Sequence, residues 1–286
     1  MLSQEEFENY DVSVLGNDEL GHFIREYLYF HPYTKHLNLS KWDVSKVTDM
    51  SELFKWCKTV ESIDISNWDT HNVTTMARMF RWCESLKEIR GLSTLDLSNV
   101  TDVSEMFYGC ESLTWADVSN WDTHNVKSMD RLFAVCKSLK EIKGLSTLDT
   151  SNVLSMQCVF YKCKSLETIN ISQWDVPKVT DVSGMFFRCR SVKTIYLSGW
   201  DVHSVESAHD MFDGCRSAEL IDLSNWETYS LKDAHMMFAN CYSLKELKGL
   251  STLGIPPDAD MTGIFYGTEL LDPFDMLSFV MSVERE

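Results

Sequence analysis

One pattern returns nine times along this chain of 286 residues, and it limits the possible folds more than any other feature. Each unit begins with Trp or Leu and carries a Phe twelve residues later, followed in eight units by a Cys three residues further on. Successive units are 26 or 27 residues apart. A fixed period of this length is typical of a solenoid, whose units bury their apolar faces only against neighbours. Units 1 to 9 begin at Trp42, Trp68, Leu95, Trp121, Leu148, Trp174, Trp200, Trp226 and Leu253.

Each unit combines two apolar periodicities. After each Cys, apolar residues recur with the alternation of a short half-buried strand, as in Val60, Ile63 and Ile65. After each unit head, they are three or four residues apart, as on one face of a helix. Val47, Met50 and Phe54 show this spacing. We therefore predict an α/β fold, a right-handed leucine-rich-repeat-like solenoid of nine strand-turn-helix coils with a parallel sheet.

The array is continuous and has a candidate helix at each end. We predict an N-terminal helical cap over residues 1–36, a solenoid over 37–268 and a C-terminal helical cap over 269–286. Residues 18–30 have one apolar helical face, and Phe274, Leu277 and Met281 follow a Pro that suits a first helical turn. Because terminal coils would otherwise expose core-sized apolar faces, caps at both ends predict a monomer.

Three units are one residue longer than the others. The insertions lie beside Gly91, Gly144 and Gly249. Glycine inside a strand pattern indicates a β-bulge, which would absorb the extra residue and restore the register.

Two columns of polar or reactive residues have structural interpretations. Eight of the nine cysteines occupy one repeat position, so we expect buried, small apolar side chains rather than disulfides or a metal site. The residue after the unit head is acidic in eight units, and we expect it to accept backbone N–H groups at a turn. We predict no cofactor and no metal.

The charge of −17 disfavours nucleic acid and anionic membranes as partners, because binders of either need a basic patch. No run of residues is apolar enough for a membrane span, and the first residues do not resemble a signal peptide. These features favour a cytoplasmic or host-intracellular location.

The repeat is similar to a known family. Val60, Ile63, Ile65 and Asn67 come close to the strand signature of leucine-rich repeats, with the Asn one position early. Together with the string Ser-Asn-Trp-Asp-Thr-His-Asn-Val-Thr-Thr-Met at 66–76, they resemble the BspA-like leucine-rich repeats of bacterial surface lipoproteins. The resemblance covers about four-fifths of the chain. It implies a solenoid used for adhesion and binding, in a family found mostly on cell surfaces.

The residues five and seven positions after each Cys are expected to form one exposed strand face. These two columns vary from unit to unit, and they place Trp115, Tyr196 and Leu220 where polar residues are expected. Large apolar groups on a polar face are the usual anchors of protein interfaces. The alternatives are that Trp115 only covers neighbouring strands, or that the assigned strand register is wrong by one residue. The predicted partner-binding residues are Trp115, Tyr196, Leu220, Arg90, Asp117, Lys143, Asn170 and Asp222.

A second candidate surface is the row of aromatic residues beside the core Phe, which could instead pack between coils. Its members are Trp56, Trp82, Tyr108, Tyr161, Phe187 and Tyr266.

The polar residues recur by repetition, whereas an active site needs unlike residues that converge in a pocket. We therefore predict no enzyme but a repeat scaffold that binds another protein, of unknown identity, through the strand face. The alternative is an intracellular inhibitor encoded by a virus or phage that captures a host enzyme, with acidic mimicry of nucleic acid as its charged form.

Overall fold

A computed structural model describes residues 2–272, 276 and 279, and it shows a solenoid of parallel strands. Two helices precede the array, α1 (Gln4–Glu8) and α2 (Asn17–Phe30). One three-residue strand then recurs per repeat. The strands are β1 (His36–Asn38), β2 (Ser62–Asp64), β3 (Glu88–Arg90), β4 (Trp115–Asp117), β5 (Glu141–Lys143), β6 (Thr168–Asn170), β7 (Thr194–Tyr196), β8 (Leu220–Asp222) and β9 (Glu246–Lys248). Short 3-10 turns occupy Val12–Val14, Leu92–Thr94, Leu145–Thr147 and Leu250–Thr252.

The strands pair in parallel and in register, so equivalent residues of successive units lie side by side. Ile63, for example, pairs with Leu37 on one side and Ile89 on the other. The sheet is divided into three parts, β1–β3, β4–β5 and β6–β9. The predicted parallel sheet is confirmed, with these two interruptions.

The helix predicted for the other half of each coil is not there, and a series of turns takes its place. In all nine units the residues ten and fourteen positions after the head have positive φ, for example Glu52 at 60° and Trp56 at 68°. Two left-handed residues four apart are incompatible with a helix. The backbone instead bonds to the next unit, as from Phe54 N to Met79 O at 2.8 Å. We call these stacked turns the turn ladder.

Apolar columns fill the space between the sheet and the turn ladder. The phenyl rings from Phe54 to Phe265 form one continuous stack, with centroids of successive rings 5.1 to 6.1 Å apart. Beside it, each Trp head from Trp68 onward donates its indole N–H to a carbonyl 29 residues earlier, as from Trp174 to Leu145 O at 2.8 Å. The period of the sequence therefore produces identical contacts in successive layers.

The three insertions form left-handed glycines followed by 3-10 turns rather than the predicted β-bulges. Gly91, Gly144 and Gly249 have φ near 80°, and a Cβ on Gly144 would lie 2.2 Å from Ser119 Cα. The sheet is interrupted after the strands that precede Gly91 and Gly144. The extra residue thus changes the path of the chain instead of being absorbed within a strand.

The N-terminal segment predicted to be helical contains α2, which packs beside the first unit. Phe23 lies 6.1 Å from Trp42 between ring centroids, and Arg25 donates to Glu52 O at 3.0 Å. The role of residues 1–36 as a cap stays a prediction. Phe274, Leu277 and Met281, on which the C-terminal cap was predicted, lie outside the described residues. Within the described part of the chain, the helices are too short or too polar to cross a membrane.

Candidate functional site

The strand face consists of the first and third residues of each strand, which point outward while the middle residue points into the core. In β4, Ala116 is buried between exposed Trp115 and half-buried Asp117. In β7, Ile195 is buried between Thr194 and exposed Tyr196. The predicted register is confirmed, because these are the positions five and seven after the preceding Cys.

The three predicted anchors lie on this face but do not form one cluster. Trp115 is 45% exposed and Tyr196 is 42% exposed, whereas Leu220 is partly buried and less exposed than either. Tyr196 and Leu220 are on adjacent strands, where Thr194 pairs with Leu220 and Tyr196 with Asp222. Trp115 is three strands away from Tyr196, in a different part of the sheet. At about 4.8 Å per strand, the anchors extend along about 19 Å from β4 to β8.

Three of the four charged residues predicted for the site form ion pairs with neighbours. Lys143 Nζ lies 3.0 Å from Asp117 Oδ2, across the β4–β5 pair. Arg90 Nε lies 3.1 Å from Glu88 Oε1 on the same strand. Exposed pairs of this kind contribute little to stability, so they are available to a partner at low cost.

Three predicted site residues also close a turn, a role that the sequence analysis missed. Asp117 accepts hydrogen bonds from the hydroxyl and N–H of Ser119, at 2.6 and 3.0 Å. Both bonds lower the pKa of Asp117, and the bond from the Ser119 hydroxyl lowers it most. Asn170 accepts from the N–H and hydroxyl of Ser172, and Asp222 accepts from the N–H of Ser224. The signal was an Asx residue at the end of a strand followed by x-Ser.

The second interruption of the sheet leaves a groove of about 180 Å³ between β5 and β6. Glu141, Gly144 and Thr168 contribute to its walls, as does the predicted site residue Asn170. Ile142, at the centre of β5, is only partly buried there. The strand face is therefore uneven between Trp115 and Tyr196.

The aromatic residues beside the core Phe pack largely against one another. The rings of Trp56 and Trp82 are stacked at 5.7 Å, and those of Tyr161 and Phe187 at 4.9 Å. Packing between coils, the alternative considered for these residues, therefore accounts for most of the row.

Six of the eight acidic residues after the unit heads accept a backbone N–H two positions later, as predicted. Asp43 accepts from the N–H and hydroxyl of Ser45, and Asp69 accepts from the N–H of His71 at 3.3 Å and from its Nδ1 at 2.7 Å. Within the described residues, no such bond is made by Asp175, where Pro177 lacks the N–H, or by Glu227. The hypothesis of nucleic-acid mimicry is not tested by these contacts.

The cysteines are unpaired, and the repeated column of eight is buried. From unit 2 onward each thiol of this column donates to a Phe carbonyl of the preceding unit, as from Cys163 to Phe133 O at 3.0 Å. Thr268 replaces the Cys of unit 9 and donates to Phe238 O at 2.6 Å. Burial raises the thiol pKa, to about 12 in Cys189, which keeps the sulfur neutral. Among residues 2–272, 276 and 279, no His, Cys, Asp and Glu side chains are grouped as metal ligands.

Comparison with known proteins identifies the repeat. The family described as "Mycoplasma protein of unknown function, DUF285" matches three overlapping segments, residues 26–142, 104–221 and 167–273. No curated protein matches the chain.

Three solved structures are similar to parts of this chain. A leucine-rich repeat protein from Bacteroides ovatus has 17% identity, covers 79% of this chain and 69% of its own, and gives a TM-score of 0.33. A leucine rich cell surface protein from Faecalibacterium prausnitzii has 14% identity, with 86% and 81% covered and a TM-score of 0.34. The T. pallidum leucine-rich-repeat protein has 15% identity, with 88% and 84% covered and a TM-score of 0.32.

The matched segments together extend from residue 26 to residue 273 and so include every strand of the array. The resemblance to BspA-like repeats is thereby confirmed, and the chain belongs to the DUF285 family of BspA-like leucine-rich-repeat proteins.

Proposed function

We propose that this chain is a non-catalytic scaffold that binds another protein through the strand face, with Trp115, Tyr196 and Leu220 as anchors. The supporting observation is the exposure of Trp115 and Tyr196 at outward strand positions where most strands carry polar residues. Burying a Trp or Tyr against a partner contributes more binding energy than most contacts of an interface.

A solenoid of this construction is well suited to presenting such anchors. Each anchor lies next to a buried residue at the centre of its strand. These central residues, Ala116, Ile195 and Ile221, are at most 2% exposed, so the strand that carries each anchor is packed against the core. A rigid surface loses little conformational entropy when it binds. The partner would contact a strip about 19 Å long, which favours an extended segment or a ridge over a small molecule.

The experiment compares two triple variants, each of which removes two aromatic side chains and one Leu. The first carries Trp115→Ala, Tyr196→Ala and Leu220→Ala. The control carries Tyr29→Ala, Tyr229→Ala and Leu154→Ala, which are exposed residues outside the strand face. Both variants are first checked for unchanged thermal unfolding.

Proteins captured from extracts of the source organism and its surroundings are identified by mass spectrometry, and their affinities are then measured individually. We expect a partner whose Kd rises at least tenfold with the first variant and less than twofold with the control. Equal affinity for both variants would show that the strand face is not the binding site.

A further inference from the structure

A second surface is defined by charged residues beside the column Cys, which are cations in units 5 to 7 and ion-paired or acidic in earlier units. Two repeat positions flank the column Cys, fourteen and sixteen residues after the unit head. In units 5 to 7 these positions hold five cations, with Gly214 in the remaining place. We call this surface the basic edge, and it consists of Lys162, Lys164, Arg188, Arg190 and Arg216.

The same edge is neutralised in the earlier units. Lys58 Nζ lies 2.7 Å from Glu84 Oε1 in the next unit, and Lys137 Nζ lies 2.6 Å from Glu111 Oε1. The position sixteen residues after the head is itself acidic at Glu84, Glu111 and Glu269. The cations of the basic edge, in contrast, make no ion pair or side-chain hydrogen bond within the described part of the chain. A protein with a charge of −17 thus keeps a local group of unpaired cations.

Aromatic rings position two of these cations, Lys162 and Arg188. Lys162 Nζ lies 4.7 Å from the centroid of Tyr161, Arg188 Cζ lies 4.8 Å from that of Phe187, and the two rings are stacked. Cation–π contacts hold a cation over a ring without neutralising its charge.

Glycine makes room for one of these side chains. A Cβ on Gly214 would lie 2.9 Å from Arg188 Cγ, so the side chain of Arg188 runs against the backbone of the next unit. The basic edge is therefore partly ordered before any partner binds.

Arg190 carries the most specific indication of a ligand. Its Nε is buried and has no hydrogen-bond partner among the residues the structure describes. The terminal nitrogens of the same guanidinium are not buried and also make no hydrogen bond within the described residues, so a partner can reach them. A carboxylate is well matched to a guanidinium, because it can accept two parallel hydrogen bonds.

We propose that the basic edge binds a short acidic segment of a partner protein, through Asp or Glu carboxylates. From Lys164 to Arg216 the edge extends over two steps between units, about 10 Å, which about three extended residues would cover. A long nucleic acid would continue past this length onto the acidic positions of units 3 and 9. Like charges within the Debye length of about 8 Å repel, so the short acidic peptide is favoured. This surface and its partner chemistry are additional to the strand face, and the two proposals can fail separately.

The test measures the binding of fluorescein-labelled hexaglutamate by fluorescence anisotropy at 50 mM NaCl, with hexaglutamine and a twelve-nucleotide thymidine oligomer as comparison probes. The edge variant is Lys164→Ala, Arg190→Ala, Arg216→Ala. The control variant, Lys35→Ala, Lys87→Ala, Lys232→Ala, has the same change in charge at ion-paired lysines elsewhere.

We expect hexaglutamate to bind the wild type, and the edge variant to raise its Kd at least tenfold while the control raises it less than twofold. Tyr196→Ala with Leu220→Ala should leave this Kd unchanged, which separates the basic edge from the strand face. If Arg190→Ala prevents folding, Lys164→Ala with Arg216→Ala retains Arg190 and should raise Kd at least threefold. Absence of hexaglutamate binding, equal effects of edge and control variants, or tighter binding of the thymidine oligomer would each overturn the proposal.

Discussion

The sheet and the turn ladder are the two sides of the same coils, and they differ in continuity. The strands form three separate groups. On the ladder side, eight successive bridges join the nine units without interruption, from Asp49 to Asp260. The ladder also carries the left-handed pair in every unit. The solenoid therefore owes its axial continuity to the turns, and the strand side is free to accept insertions and varied side chains.

The largest loss of stability is expected for substitutions in the Phe stack, which packs against the turn ladder. Phe133 is fully buried, with ring centroids 5.1 Å from Phe107 and 6.1 Å from Phe160. Phe133→Ala should lower the free energy of unfolding by about 3–5 kcal/mol, because it leaves a cavity in a packed column. Thr168→Ala on the strand face should change it by less than about 0.5 kcal/mol. Urea unfolding of both variants measures the difference, and equal effects would show that the two sides contribute alike.

The left-handed positions provide a second test of the ladder. Gly109 has a φ of 77°, and its added Cβ would lie 2.5 Å from the Trp82 ring. Gly109→Ala should destabilise the fold by about 1–3 kcal/mol through backbone strain. Gly21→Ala, in the interior of α2, should change the stability by less than about 1 kcal/mol, because the helix preference of alanine is offset by a Cβ that would lie 3.0 Å from Arg25 Nη1. Thermal unfolding distinguishes the two, and a stabilising Gly109→Ala would contradict the left-handed assignment.

The thiol column offers a smaller effect. Cys241 donates to Phe212 O at 3.2 Å, a contact that Thr268 makes through its hydroxyl one unit later. Cys241→Ala should cost about 1–2 kcal/mol, from the lost hydrogen bond and the small cavity. Cys241→Thr should cost less than Cys241→Ala in urea unfolding. The reverse order would mean that volume, and not hydrogen bonding, determines this column.

The smallest expected effect lies on the exposed strand side. Glu61 accepts from Lys35 and from Lys87, both at 2.6 Å, and these contacts lower its pKa from 4.5 to about 2. A depressed carboxyl pKa stabilises the fold above pH 4.5, and the contribution is lost as pH falls from 4.5 through about 2.

Glu61→Gln should therefore lower the Tm slightly at pH 6, and the difference from wild type should disappear near pH 2. Scanning calorimetry between these pH values tests this. A difference that stays constant over the whole range would exclude Glu61 titration as its cause.

Comparison of the two sides also explains which predictions from the sequence succeeded. The strand positions, the Phe stack and the Asx column were predicted because alternation and a fixed period translate directly into stacked layers. The prediction of a helix in each coil was wrong for a physical reason. Residues such as Met50 and Phe54 point inward every three to four positions both in a helix and in a run of tight turns, so the spacing could not distinguish the two.

The candidate site was predicted less completely. The outward positions of Trp115 and Tyr196 and their separation by three strands followed from the register, but the interruption of the sheet between them did not. The turns closed by Asp117 and Asn170 were missed, although an Asx residue followed by x-Ser at the end of a strand indicates them. The basic edge was missed because Lys164, Arg190 and Arg216 are 26 residues apart, and the overall charge of −17 concealed them.

The sequence alone determined that this chain is a solenoid, which residues form its interior columns and which face outward, because repetition requires each unit to repeat the contacts of the one before. Only the tertiary structure decided how each coil turns and which charges remain unpaired. Backbone hydrogen bonds between units, such as that from Phe54 N to Met79 O, compete with those inside a helix. Their advantage exists only when a neighbouring coil is in place, so it is not recorded in the local spacing of apolar residues.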